Sequence, residues 1–253
     1  MKQKYCLAII FAMMFACGAA DAQKLTLVKK YPNVGSEWAS RFGLTGENKP
    51  AGAEYRLREE VRVPNLIRSK STSEMQLIIS EKTNFGSFAL FRSPMSEDYY
   101  GFTLAIYNKE DKLAREFDLC RVTDEWGLEV QDIRYDKGRF YFNMACPTYS
   151  DQYHGKCSRL YCFDAKTGVI VWKTDYLTSN DIIVMGDGFL VCSYGFASER
   201  DFVYVIDKVT GEVSSRMPLD RKAQYAELKD GCLYVVDAAE NVYKYQIEAE
   251  PKK

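Results

Sequence analysis

The sequence predicts an all-β fold, a small β-propeller of four to five four-stranded blades in a ring closed by its N-terminal strand. Three observations predict it. Asp/Gly turns precede strand-like runs at Asp136-Lys137-Gly138, Gly186-Asp187-Gly188 and Lys229-Asp230-Gly231. The spacing from Gly188 to Gly231 is 43 residues, and from Asp164 to Asp207 it is again 43. A period of about 40–50 residues made of short strands marks propeller blades. Third, apolar residues recur at a spacing of two, β-branched and aromatic types dominate, and turn residues interrupt every few positions.

Read this way, the first blade takes strands at 76–80, 87–91, 102–107 and 113–119. The second takes 128–134, 139–144, 159–163 and 169–174. The third takes 181–185, 189–193, 202–206 and 212–218. Tight turns join the third strand of each blade to the fourth: Asn108-Lys109-Glu110-Asp111, then 164–168 and 207–211. In the latter two, Asp opens the turn and can cap it with its side chain, and Gly closes it with positive φ. The fourth blade has only 225–228, 232–236 and 242–247 before the sequence ends. Residues 24–30 form a strand-like run with no neighbour in sequence. As the outer strand of the last blade they would close the ring and cover an open edge. Residues 31–74 are heavily punctuated by Gly and Pro and read as irregular, either an extra blade or an elaborated loop.

Before the strands comes a targeting segment. Met1-Lys2-Gln3-Lys4 is basic, residues 7–16 are apolar, and Ala20-Asp21-Ala22 is an A-x-A-like end. That arrangement reads as a signal peptide over 1–22. The apolar stretch is shorter than the roughly 20 residues a membrane span needs, and no second long run follows. A lipoprotein signal is the rival reading, with Cys17 in Met14-Phe15-Ala16-Cys17-Gly18 as the lipid anchor. Residues 23–253 then form one domain, and the expected location is outside the cytoplasm, periplasmic or on the cell envelope.

Without residues 1–22 the chain carries 32 basic and 34 acidic side chains and no basic block, which argues against nucleic acid as a partner. Six cysteines remain. Cys146 and Cys157 flank one loop and form the preferred disulfide, since disulfides persist in oxidising compartments. Cys162, Cys192 and Cys232 lie inside strand runs and read as small buried hydrophobes. Cys120 could pair with any of them.

The run Phe163-Asp164-Ala165-Lys166-Thr167-Gly168-Val169-Ile170-Val171-Trp172 resembles the repeat of quinoprotein-type (PQQ-like) β-propellers. Ile206-Asp207-Lys208-Val209-Thr210-Gly211-Glu212 is similar to its first part, with Ser215 where Trp would stand; Asn108–Lys112 is more degenerate. The resemblance covers residues 75–247. It specifies fold more than function, because the repeat serves enzymes and scaffolds alike. The chain is too short for the large ring of a quinone-dependent enzyme and lacks its adjacent-cysteine pair. What the resemblance implies is therefore a cofactor-free exported relative that binds other envelope proteins, with Trp172 packed between blades.

The only histidine, His154, would have to serve any Ser-His-Asp or Cys-His system, and no Gly-x-Ser-x-Gly pattern stands near it. A zinc set of Cys146, His154, Cys157 and Cys162 can be drawn, but its spacing is not that of a zinc knuckle. No metal and no catalytic residue is expected. Loop geometry gives the better lead. Links between second and third strands share a face with links between blades, opposite the Asp/Gly turns. Those loops are aromatic: Tyr99 and Tyr100; Tyr149, Tyr153 and His154; Tyr194 and Phe196; and, in the blade links, Trp126 and Tyr176. Clustered surface aromatics mark a protein or glycan binding face. The expected function is non-catalytic capture of such a partner. The alternatives are a glycan-active enzyme using funnel carboxylates, or a structural subunit of an envelope assembly.

Overall fold

The structure is a computed structural model that describes residues 22–32, 34, 75–94, 100–196 and 199–250. It contains four antiparallel sheets of four strands each. The first is β2 (Gln76–Thr83), β3 (Gly86–Arg92), β4 (Phe102–Asn108) and β5 (Leu113–Asp118). The second is β6 (Ile133–Asp136), β7 (Arg139–Met144), β8 (Arg159–Asp164) and β9 (Val169–Lys173). The third is β10 (Asn180–Met185), β11 (Phe189–Tyr194), β12 (Asp201–Asp207) and β13 (Val213–Leu219). The fourth is β14 (Ala223–Lys229), β15 (Cys232–Asp237), β16 (Val242–Glu250) and β1 (Ala22–Tyr31). These are propeller blades.

The N-terminal strand pairs where the sequence placed it. β1 runs antiparallel to β16, with Leu25 opposite Ile247, so the last blade has its fourth strand from the other end of the described chain.

Each blade buries both faces of its middle strands, and in the second and third blades a neighbouring blade packs on either side. β3 and β4 are buried almost throughout, whereas β5, the outer strand, is mostly exposed. Alternate side chains build three inter-blade cores. Phe88, Leu90 and Leu104 meet Phe140 and Phe142 between the first two blades. Tyr141, Leu160 and Trp172 meet Leu190 and Tyr204 between the second and third. Val191, Val203 and Val205 meet Leu233, Val235 and Leu25 between the third and fourth.

One turn recurs in all four blades. Asn108 Oδ1 accepts from the backbone N–H of Glu110 and Lys112, both at 3.0 Å. Asp164 Oδ1 accepts from Lys166 and Thr167, and Asp207 Oδ1 from Val209 and Thr210. The backbone donor of Thr167 above all holds the Asp164 carboxyl below its usual range. The fourth copy, missed in the sequence because it has no closing Gly, starts at Asp237, whose Oδ1 accepts from Ala239 and Asn241. Positive φ is supplied there by Glu240 and in the first blade by Asp111, in place of Gly168 and Gly211.

The outer strand of one blade grips this turn in the next. The Arg115 guanidinium donates to the carbonyls of Ala165 and Lys166 at 2.6 and 2.8 Å. In the following step the Trp172 indole N–H donates to Lys208 O at 3.0 Å, and its ring lies on Gly211. Trp172 thus packs between blades. Lys208 reaches back to Asp136 Oδ2 at 2.8 Å.

Two expected strands end differently. Residues 113–119 leave the sheet at Asp118, which caps a short helix, α1 (Leu119–Thr123), by accepting from Arg121 N–H. Residues 128–132 are not part of β6; Glu129 makes only an isolated bridge to Ala145. A buried polar network takes the strand's place. Asn143 Oδ1 accepts from Gln131 and Asp132 N–H, and Asp132 Oδ2 accepts from Arg134 Nε and from Ile183 N–H of the next blade.

Candidate functional site

The loops joining second to third strands and those joining blades carry the aromatic residues singled out in the sequence. The Cys146–Cys157 disulfide closes one of them, across a sequence separation of 11. Bonded to each other, these two sulfurs leave the drawn zinc set without two of its four ligands. Cys120, Cys162, Cys192 and Cys232 are buried. Burial pushes the Cys162 thiol up to about 11 and that of Cys192 up to about 12, so both stay protonated and unreactive at neutral pH.

Inside the disulfide loop a single 3-10 turn, Ser150–Tyr153, ends at His154, which takes positive φ and is exposed. Two sets of contacts anchor the loop. Ser150 donates through its backbone N–H and its hydroxyl to Glu199 Oε1 at 3.1 and 2.8 Å. Tyr153 donates its hydroxyl to Gly127 O at 3.2 Å, fastening the loop to the link between the first two blades.

Around Glu199 the structure brings three expected residues together. Phe196 lies with its ring centroid 5.9 Å from that of Tyr149 and 5.9 Å from that of Tyr194. Lys222, ion-paired with Asp181, stands 5.4 Å from the Phe196 ring. Tyr194 was expected on the surface but is only 4% exposed. It is the last residue of β11, and its hydroxyl donates inward to Glu199. Burial first, and then that carboxylate, raise its pKa far above the ordinary tyrosine value.

A second group surrounds Glu125. Its Oε1 accepts from the hydroxyls of Tyr161 at 2.7 Å and Tyr176 at 3.1 Å, and Arg159 Nη1 lies 3.6 Å away. The Arg159 guanidinium also sits over the Tyr176 ring, 3.8 Å from its centroid. Tyr161 had not been singled out; it reads as an ordinary inward position of β8, and only its hydroxyl reaches this group. Beside Glu125, Trp126 is 48% exposed, with its indole N–H 3.4 Å from Asp124 Oδ1; across the face Tyr149 is 43% exposed. Tyr100 is half-buried beneath the Arg92 guanidinium, 4.6 Å from its ring. Tyr99 lies outside the described residues.

Among the described residues the face therefore has two exposed aromatic rings, Trp126 and Tyr149, on a frame of half-buried rings and internally bonded carboxylates. Glu125, Glu199 and Asp132 each accept from two or more donors of the protein itself. Such an arrangement can offer flat apolar surface and hydrogen bonds without moving, which suits binding.

Comparison with known proteins returns structures only. No protein-family profile matches the sequence, and no curated protein does. Three solved structures are similar to this one. BamB from Moraxella catarrhalis has a TM-score of 0.41 at 10% identity, over 62% of this chain and 44% of that one. The β-propeller domain of the Trilobed protease from Pyrococcus furiosus has 0.45 at 13%, over 64% and 48%. Sqt1 from Saccharomyces cerevisiae has 0.46 at 10%, over 71% and 47%. This chain spans about half the length of each of the three, or slightly less. No described helix is long and apolar enough to cross a membrane.

Proposed function

We propose that this chain is an exported, cofactor-free propeller of the PQQ-like kind that captures a protein or glycan partner of the cell envelope on its loop face. The observation that carries the reading is the exposure of Trp126 and Tyr149 over a rigidly bonded frame. Large amphipathic rings held this way lose little entropy on contact, which is why such residues dominate binding hot spots. Export is supported by the basic-apolar-small segment at 1–22 and by the disulfide; Cys17 offers a lipid anchor if that signal is of the lipoprotein type. The repeat at residues 163–172 and the inter-blade seat of Trp172 support the PQQ-like kinship. Tyr100, Tyr153, His154, Tyr176 and Phe196, with Tyr99, complete the proposed surface, and Tyr194 supports it from beneath.

The test is capture from envelope extract by the immobilised protein, compared with a Trp126→Ala/Tyr149→Ala variant. Loss of the captured species at an unchanged melting temperature is the expected outcome. Undiminished capture by the variant, or turnover of a glycan polymer by the unaltered chain, would overturn the reading.

A further inference from the structure

A cavity of about 330 Å³ opens among the tight turns, where the first blade meets the second and away from the aromatic loops. Its walls are apolar. Phe85 and Ile106 come from the first blade, Tyr135 and Phe140 from the second. The Tyr135 ring stands edge-on to Phe85, 4.9 Å between centroids, and tilted to Phe140 at 5.1 Å. Packed on one another in this way, the three rings form a fixed surface.

Two cations, Arg115 and Lys166, line the same cavity, and no acidic residue is among the described residues that do. The bonds that let Arg115 grip the next blade also orient it. Nη1 donates to Ala165 O and Lys166 O, which leaves Nε–H and both Nη2–H without a bond among the described residues. That edge of a guanidinium is the one that takes a carboxylate through two parallel hydrogen bonds. The Lys166 ammonium, on an exposed turn, makes no ion pair among the described residues. Tyr135 adds a hydroxyl that accepts from Gly138 N–H at 2.9 Å and keeps its own proton to donate.

We propose that this cavity is a receptor for a small carboxylate with an apolar, ring-sized body. The body lies against Phe85, Tyr135 and Phe140, and the carboxylate takes the open edge of Arg115 with Lys166 beside it. Charge decides the sign of the ligand, because two cations without an acid repel an amine and leave a neutral molecule's partners unmatched. Apolar walls strengthen the pairing by lowering the local dielectric. The volume is at the small end for ligand sites, room for a phenyl ring on a short chain. The site lies apart from the loop face, so the proposal does not rest on partner capture there.

The experiment is isothermal titration of the chain from residue 23 with hydrocinnamate. Hydrocinnamyl alcohol has the same body without the charge, and acetate has the charge without the body. Hydrocinnamate should bind, and each control at least about tenfold more weakly, as the loss of a charged hydrogen bond or of the ring contact implies. Lys166→Gln should weaken hydrocinnamate by roughly threefold or more at an unchanged melting temperature. Ala114→Trp, which puts an indole at the cavity from an exposed position of β5, should abolish binding. Nuclear magnetic resonance on the unaltered chain locates the site without any variant: the Gly138 amide and the Ala165 methyl should shift on titration, and the Trp126 indole N–H should not. No binding of hydrocinnamate up to about 10 mM, equal binding of the alcohol, undiminished binding by Ala114→Trp, or shifts at Trp126 in place of Gly138 would each overturn the proposal.

Discussion

Gly211 and Trp172 offer a direct measure of how one blade holds the next. Gly211 has φ of 77°, and a Cβ there would lie 2.5 Å from Trp172 Cδ2 and 2.6 Å from Cε3. Gly211→Ala therefore carries two costs. Left-handed backbone costs a residue with a Cβ about 1–2 kcal/mol. Forcing the ring aside adds about 1–3 kcal/mol. Gly188→Ala isolates the first cost, because Gly188 has φ of 78° and nothing within 4 Å of the added Cβ. Trp172→Ala alone should cost about 3–5 kcal/mol, from the cavity and from the lost bond to Lys208 O. With the ring gone, the added methyl enters open space and fills part of the cavity. The double variant should then be more stable than the sum of the singles implies, by about 1–3 kcal/mol. Urea unfolding followed by far-UV circular dichroism for the four variants gives the coupling. Additivity within about 0.5 kcal/mol, the behaviour of independent sites, would refute the packing argued here.

Three further outcomes are expected. Removing residues 24–30 takes away Leu25 with its bond to Ser215 Oγ and strips the last blade of its outer strand; the melting temperature should fall by at least about 5–10 °C, and an unchanged calorimetric melt would contradict the pairing. Reducing the Cys146–Cys157 bond, or replacing both with Ser, should cost about 2–3 kcal/mol for a loop of this length, seen as a lower urea midpoint. Asp201 is 6% exposed, and burial pushes its carboxyl up to about 6, with Arg221 and Lys222 favouring the charge and Asp237 and Glu199 opposing it. A carboxyl pKa raised on folding means the folded state holds the proton longer, so stability from this group is full below about 4 and is lost as pH rises to about 6. Asp201→Asn should be more stable than the parent at pH 7.5, by on the order of 2–3 kcal/mol, with the gap closing toward pH 4; a gap independent of pH would contradict this.

The strands were legible because middle strands of a blade are buried on both sides and so are apolar almost throughout, while turns must supply positive φ and side-chain caps. Asp164–Gly168 and Asp207–Gly211 announce themselves for that reason. Asp237 does not, since Glu240 adopts the positive φ that Gly takes elsewhere. The 128–132 stretch misled because its order comes from Asn143 and Asp132, a buried polar pairing that apolar periodicity does not register. α1 continued the apolar pattern of β5, and only the cap at Asp118 separates them. Of the aromatic loop residues, the sequence located the face but not the depth of each ring. Tyr194 turned inward because β11 extends to it, and Tyr153 and Tyr176 spend their hydroxyls on Gly127 and Glu125.

The loop face as the seat of partner capture is tested most directly by photo-crosslinking. A benzophenone amino acid is placed in turn at Trp126 and Tyr149, and at Val169 and Val209, which are 54 and 48% exposed on or beside outer strands and turns. Irradiation in envelope extract should give a discrete adduct from the first two positions and none from the others. Adducts from Val169 or Val209 with none from Trp126 and Tyr149 would contradict the account.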